Sequence, residues 1–298
     1  MDQATNLRRL VLEKGPITKS SKIIAVTSGK GGVGKTSLSA NLAIALKQTG
    51  ASVTLLDADL GLANVNIIFG IIPKYNLYHV IKGKRNLRDI VINIPEGIKI
   101  IAGASGFHQL ANLDVKQRND FINGFDELDD DDYIIIDTGA GISQNVLSFV
   151  MASDEVIVVT TPEPTAITDA YGIIKAIAAQ AYDKSVKIIV NRVQSVSEGK
   201  RVAERVISIA SQFLNLKVES LGFVFDDDTV AKSIRAQRPF IISFPKSKAS
   251  GCVSMIADKL TNRTVANEKG SGMLTFFKKI INFSDDAKDS APDERGEE

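Results

Sequence analysis

The stretch Lys22-Ile23-Ile24-Ala25-Val26-Thr27, running on into Ser28-Gly29-Lys30-Gly31-Gly32-Val33-Gly34-Lys35-Thr36-Ser37, decides the fold. Its first six residues are largely apolar and β-branched without alternation, as a strand buried on both faces of a parallel sheet requires. After Gly34 the spacing turns helical, with Leu38, Leu42, Ala45 and Leu46 on one side. Between strand and helix, residues 29–36 satisfy G-x-x-x-x-G-K-[ST], in the strand–loop–helix context that gives the pattern meaning. Gly29, Gly31, Gly32 and Gly34 let the backbone turn tightly around Lys30 and Val33, with N–H groups pointing inward. The helix N-terminus adds partial positive charge, so the loop is an anion nest. Lys35 brings a full charge to the β/γ-phosphates and Thr36 a hydroxyl to Mg²⁺, with Ser37 next in the helix.

Outward from this loop the strand–helix alternation repeats. Further apolar runs fall at Ser52–Leu56, Ile98–Ala102, Tyr133–Ile136, Glu155–Thr160, Val186–Val190 and Leu221–Phe225. Helical spacing lies between them, as in Ile167, Ala170, Tyr171, Ile174 and Ile177. The pattern predicts one doubly wound, mostly parallel α/β sheet flanked by helices, with ligands at the carboxyl ends of the strands. Residues 22–260 form that domain. Residues 1–21 read as a short N-terminal helical segment and linker, 261–272 as a second linker, 273–284 as an amphipathic helix and 285–298 as an acidic disordered tail, neither end joining the sheet.

Composition narrows the classes. The 298 residues are 44% hydrophobic and 24% charged, ordinary globular values. A chain of this mass exposes about 12,000 Å² folded against roughly 46,000 Å² unfolded, so its core needs no staples. A single cysteine, Cys252, excludes an intramolecular disulfide framework, a Cys-ligated zinc site and a cluster held by one subunit alone. No apolar run approaches the 18 residues of a spanning helix, and no signal peptide opens the chain, so a cytoplasmic protein is expected. Net charge is +1, yet residues 285–298 hold seven acids against Lys288 and Arg295, net −5, which leaves a mildly basic body. No compact Lys/Arg cluster stands out in it to suggest nucleic acid, and no specific nucleic-acid partner is expected. His79 and His108 read as surface or packing residues.

The second lysine in K-G-G-x-G-K-T resembles the deviant Walker A loop of the MinD/ParA class of ATPases. That resemblance implies ATP and Mg²⁺ as ligands, and an ATP-dependent homodimer in which Lys30 reaches the partner's phosphates, as an arginine finger does. Asp57-Ala58-Asp59-Leu60-Gly61-Leu62-Ala63-Asn64 resembles the same class's switch I, D-x-D-x-G-L-x-N. By this likeness Asp59 positions or deprotonates the attacking water, and Asp57 orders the metal and lysine shell. Asp137-Thr138-Gly139-Ala140-Gly141 resembles switch II, with Asp137 holding Mg²⁺ alongside Thr36 and Gly141 leaving backbone free to approach the γ-phosphate. Asn191-Arg192-Val193 resembles the adenine-reading N-R-x, an amide being able to donate and accept at once. Asp226–Asp228 falls where the second base-contacting loop would lie. Iron–sulphur carriers share the loop but need cysteine pairs that this chain lacks.

The ends point further. Met273, Leu274, Phe276, Phe277, Ile280 and Ile281 make one side of a helix whose other side carries Thr275, Lys278, Lys279 and Asn282. Such a face either docks on its own body or lies in a membrane interface. It resembles the terminal membrane-targeting helix of MinD-like proteins, which implies peripheral attachment to the inner face of the cell membrane in ATP. The acidic tail departs from that pattern and opposes anionic lipid. At the other end, Asp2-Gln3-Ala4-Thr5-Asn6-Leu7-Arg8 resembles the D-Q-A-x-x-L-R motif of the FlhG family, also called FleN or YlxH, which regulates flagellar number and placement. In that family the motif stimulates the GTPase FlhF. The resemblance implies Gln3 completing the partner's active site, Asp2 and Ala4 beside it, Leu7 anchoring and Arg8 pairing with acid or phosphate. It leaves flagellar C-ring proteins or a flagellar transcription regulator as further partners. Alternatives are a partition ATPase, which predicts salt-sensitive DNA binding, and a division-site ATPase.

Overall fold

The computed structural model describes residues 20–59, 64–103, 131–181, 184–214, 216–267 and 271–289. Eight strands lie in them: β1 Lys22–Ser28, β2 Val53–Ala58, β3 Val91–Asn93, β4 Lys99–Ile101, β5 Tyr133–Ala140, β6 Glu155–Thr160, β7 Ser185–Val193 and β8 Val218–Phe225. They form one sheet in the order β3-β4-β2-β5-β1-β6-β7-β8. All neighbours are parallel except β3, which pairs antiparallel with β4 at the edge. The helices are α1 Lys35–Gln48, α2 Val65–Ile68, α3 Leu77–Ile81, α4 Gln144–Ala152, α5 Pro164–Ala178, α6 Val196–Phe213, α7 Asp228–Arg235, α8 Phe240–Ser243, α9 Lys248–Asn267 and α10 Gly272–Asp289, with a 3₁₀ turn at Leu87–Ile90.

The apolar runs are buried along their whole length in β1, β2 and β6, because helices cover both faces. On one face α1 and α9 pack together, Leu38, Leu42 and Leu46 meeting Val253, Ile256 and Leu260 in one cluster. The single cysteine, Cys252, is unpaired and buried there. On the opposite face α5 and α6 cover β6 and β7, while α4 and α10 cover β1 and its neighbours. At the amino ends of the strands, Glu155 is buried between Lys22, 3.1 Å from Oε2, and Lys187, 2.5 Å from Oε1.

Several expectations change. β3 was not foreseen: three residues carry too little pattern to stand out. β5 runs on through Asp137–Ala140, read from sequence as loop, because it is clamped between β2 and β1; Asp57 pairs with Asp137 and Ser28 with Ala140. The 261–272 linker is helical through Asn267, since no glycine or proline falls between Gly251, in the first turn of α9, and Gly270. The amphipathic helix reaches Asp289, into the span read as disordered tail. It also docks on the body. Met273, Phe276, Phe277 and Ile280 are buried against Ile23, Leu56, Ile134 and Phe149. The Phe149 and Phe276 rings stack at 6.2 Å. Of the two fates open to that apolar face, the structure shows the first. The side chains of Leu274 and Ile281, and residues 1–19 with Asp2, Gln3, Ala4, Leu7 and Arg8, lie outside what is described.

Candidate nucleotide site

The loop after β1 sits at the carboxyl edge of the sheet, where the topology places ligands. Gly32 and Gly34 have φ of 81° and 89°, the left-handed region that favours glycine. Gly34 caps α1, and a Cβ there would strike Asn191 Nδ2; one on Gly29 would collide with the backbone carbonyl of Asp169. Behind the loop, the Lys35 ammonium donates to the Thr138 carbonyl and lies 3.5 Å from Asp137 Oδ1. Ser39, one turn further along α1, donates to the same oxygen at 3.0 Å. The other oxygen, Asp137 Oδ2, is buried and has no hydrogen-bond partner among the described residues.

Asp57 is wholly buried. Its Oδ1 accepts from the Asp59 N–H at 3.1 Å and its Oδ2 from the Val65 N–H at 3.2 Å, so it pins both ends of switch I. Burial, and then the charge of Asp137, push its carboxyl up to about 7. Burial raises Asp137 as well, against the pull of Lys35. Two crowded carboxylates and an orphaned oxygen are a deficit of positive charge that a divalent cation would meet. Oxygen donors from Asp137 and the Thr36 hydroxyl suit Mg²⁺.

In front of these groups opens a cavity of about 360 Å³, bounded by the loop, Thr36, Asp59 and Ala140, with Ile67 and Ile234 exposed at its mouth. Arg192 and Ile234 also line a narrower adjoining cavity of about 70 Å³, walled by Asn191, Phe225, Asp226 and Phe240. The first has the room and the donors that a triphosphate needs, and the second opens beside it from the same loop.

Most of the candidate residues therefore converge, with five differences. Asp57 and Asp137 do not line the open cavity; they stand behind it as supports. Asn191 does line the base compartment, but its Nδ2 donates to the Val33 carbonyl at 2.8 Å, lashing β7 to the loop. Gly141, at φ 92°, does not hold its N–H free: it donates to the Ser28 carbonyl at 2.8 Å. In the Asp226–Asp228 run, Asp227 accepts from the N–H groups of Thr229 and Ala249, capping α7 and the start of α9. Lys30 does not line the cavity either. Its ammonium rests 3.0 Å from both Glu163 Oε2 and Thr165 Oγ1, at the start of α5. The sequence reading missed these two partners, and nothing local marks them. Ser39 was legible in principle, four residues after Lys35 on one helix face. Leu60–Ala63 lie outside the described residues.

Loop, switch residues and sheet order together define a P-loop nucleotide-binding protein. The CobQ/CobB/MinD/ParA nucleotide binding domain matches residues 24–240. The antiactivator FleN of Pseudomonas aeruginosa is 40% identical over 86% of this chain and 91% of its own. The flagellum site-determining protein YlxH of Helicobacter pylori is 36% identical over 95% and 99%. Among solved structures, the septum site-determining protein MinD of Pyrococcus horikoshii, complexed with Mg-ADP, matches with a TM-score of 0.66 at 24% identity, covering 82% of this chain and 97% of that one. The chain belongs to the MinD/ParA family of P-loop ATPases, on its FleN/YlxH branch.

Proposed function

We propose that this chain is an ATP-switched regulator of flagellar number and placement, a reading supported by its likeness to FleN and YlxH along nearly its whole length. ATP binds with its phosphates in the loop of residues 29–37 and its base beside Asn191 and Arg192. Mg²⁺ supplies charge neutralisation there when bound, held by Thr36 and Asp137. Asp59 positions the attacking water. A second copy closes the site and lends its Lys30.

The observation that carries this reading is the open phosphate cavity, furnished with Lys35, Thr36 and Asp59 while the chain's own Lys30 is held away from it on Glu163 and Thr165. One chain thus leaves its site short of a cation that a second could provide. Closure also favours release of α10. Its seat, α4, begins three residues after Gly141, so a γ-phosphate that draws Gly141 off the Ser28 carbonyl disturbs the groove holding Phe276. The freed helix then holds the inner face of the membrane, doubled in the dimer. The N-terminal segment stimulates FlhF, and a transcription regulator or C-ring protein reads the nucleotide state.

The deciding experiment is GTP hydrolysis by FlhF with and without a peptide of residues 1–20. Stimulation that a Gln3→Ala peptide fails to give supports the reading, and equal stimulation by both removes its partner. Sedimentation velocity in ATP tests the dimer. Lys30→Ala should melt like the natural chain, because an exposed ion pair contributes little, yet stay monomeric, whereas Asp59→Ala should persist as a dimer. Cosedimentation with liposomes, full chain against a truncation after Gly272, tests the membrane step.

A further inference from the structure

Residues 74–88, KYNLYHVIKGKRNLR, carry five cations and no acid. The sequence reading passed over them because no short window holds them all, but the fold gathers them. Asn76 and His79 cap α3, Gly83 turns the chain at φ 65°, and Leu77, Ile81, Leu87 and Ile90 plug into the apolar cluster beneath. Lys74, Lys82, Lys84, Arg85 and Arg88 are left exposed around one knuckle. Tyrosines brace it. The Arg85 Nη2 donates to the Tyr75 hydroxyl at 2.7 Å, with its guanidinium 4.3 Å from the centre of that ring. Lys74 stands 5.4 Å from the Tyr75 ring and Lys82 5.7 Å from Tyr78. Among the described residues Lys74, Lys82 and Lys84 have no carboxylate partner, and Arg85, though in no ion pair, feels the charge of the exposed Asp89.

We propose that this knuckle binds the headgroups of anionic phospholipid, as the second contact of a membrane site whose first is α10. The inference rests on the membrane reading above and adds to it a surface on the body itself. Tyr75 and Tyr78 pack on the same apolar cluster that seats Met273, Phe276, Phe277 and Ile280, so knuckle and helix share one side of the sheet. Lys278 and Lys279 of α10 are exposed there too. Half-buried tyrosines beside unpaired cations are what the headgroup zone favours. Through Ile90 the knuckle carries a net +4, five cations less Asp89, which offsets most of the −5 of residues 285–298 that follow α10's apolar face and would otherwise repel the surface.

The test is flotation of the full chain, in ATP and Mg²⁺, with vesicles of phosphatidylcholine alone or mixed with phosphatidylglycerol. Each cation near an anionic surface is worth about fivefold in binding. A Lys82→Ala/Lys84→Ala double variant should bind the mixed vesicles about twentyfold more weakly, melt as before, and lose its deficit in high salt. Lys217→Ala, at an exposed lysine of the opposite sheet edge, should bind as the natural chain does. Undiminished binding by the double variant overturns the proposal. So does an equal loss in Lys217→Ala, which would show net charge alone at work. If truncation after Gly272 abolishes flotation and the double variant does not, the membrane reading stands and the knuckle falls. If the natural chain fails to float, both fall. A double variant that keeps its lipid affinity but loses affinity for duplex DNA reassigns the patch to nucleic acid.

Discussion

Asp57 shows how far single positions in this site are set against their own solvation. Its carboxyl, held at about 7 when folded against 3.8 unfolded, keeps its proton in the native state across that window. Stability conferred by the protonated form is therefore complete at low pH, declines as pH climbs from about 4 to 7, and stays reduced above. The ceiling on that loss is about 4 kcal/mol. Asp57→Asn keeps an acceptor without the charge, so in nucleotide-free protein it should raise the melting temperature at pH 8 and much less at pH 5, as paired thermal melts would show. The glycines give a sharper contrast. Gly29→Ala drives a methyl into the Asp169 backbone and should cost about 3 kcal/mol in urea denaturation. Gly31→Ala meets open space and should cost under about 1 kcal/mol. These roles were only partly legible: residues 29–36 announce themselves because their chemistry is contiguous, whereas Glu163 and Thr165 reach Lys30 from more than 130 positions away.

Among the elements, α10 is the one whose sequence left the outcome open. An amphipathic face states that something apolar must cover it, never which surface. Here the covering surface is Phe149 of α4 with the buried isoleucines of β1 and β5. Phe276→Ala removes the stacked ring and should weaken docking by about 3 kcal/mol. Because α10 lies on the sheet without contributing a strand to it, the loss should appear as local opening. Trypsin cleavage after Lys278 and Lys279 should accelerate about a hundredfold while the main melt moves little; equal cleavage rates would show that the ring does not hold the helix. The extension of β5 was hidden for a related reason. Asp-Thr-Gly-Ala is a poor strand by propensity and becomes one because β1 and β2 flank it, which is a property of the sheet and not of those residues.

For the whole molecule, the relevant equilibrium couples ligand to fold. Nucleotide that binds the native chain alone stabilises it by RT ln(1 + [L]/Kd), about 2.7 kcal/mol at a hundred times Kd. In a chain of this size that is a rise of the order of 5 °C or more in Tm with saturating ATP and Mg²⁺. Chelating the magnesium should remove part of the rise, since Lys35 and the loop N–H groups then meet the phosphate charge alone, and Lys35→Ala should remove it altogether. Calorimetry of the three samples decides this.

The position of β1 has a quieter corollary. Four strands lie to one side of it and three to the other, with the Asp137 strand immediately beside it. Wear that starts at the rims, by nicking or by warming, must peel several strands before it reaches the phosphate grip. A batch frayed only at the β3–β4 margin would still retain nucleotide on a filter, whereas fraying at β8 would open the wall of Phe225 and Asp226, so retention is a poor gauge of the first margin alone.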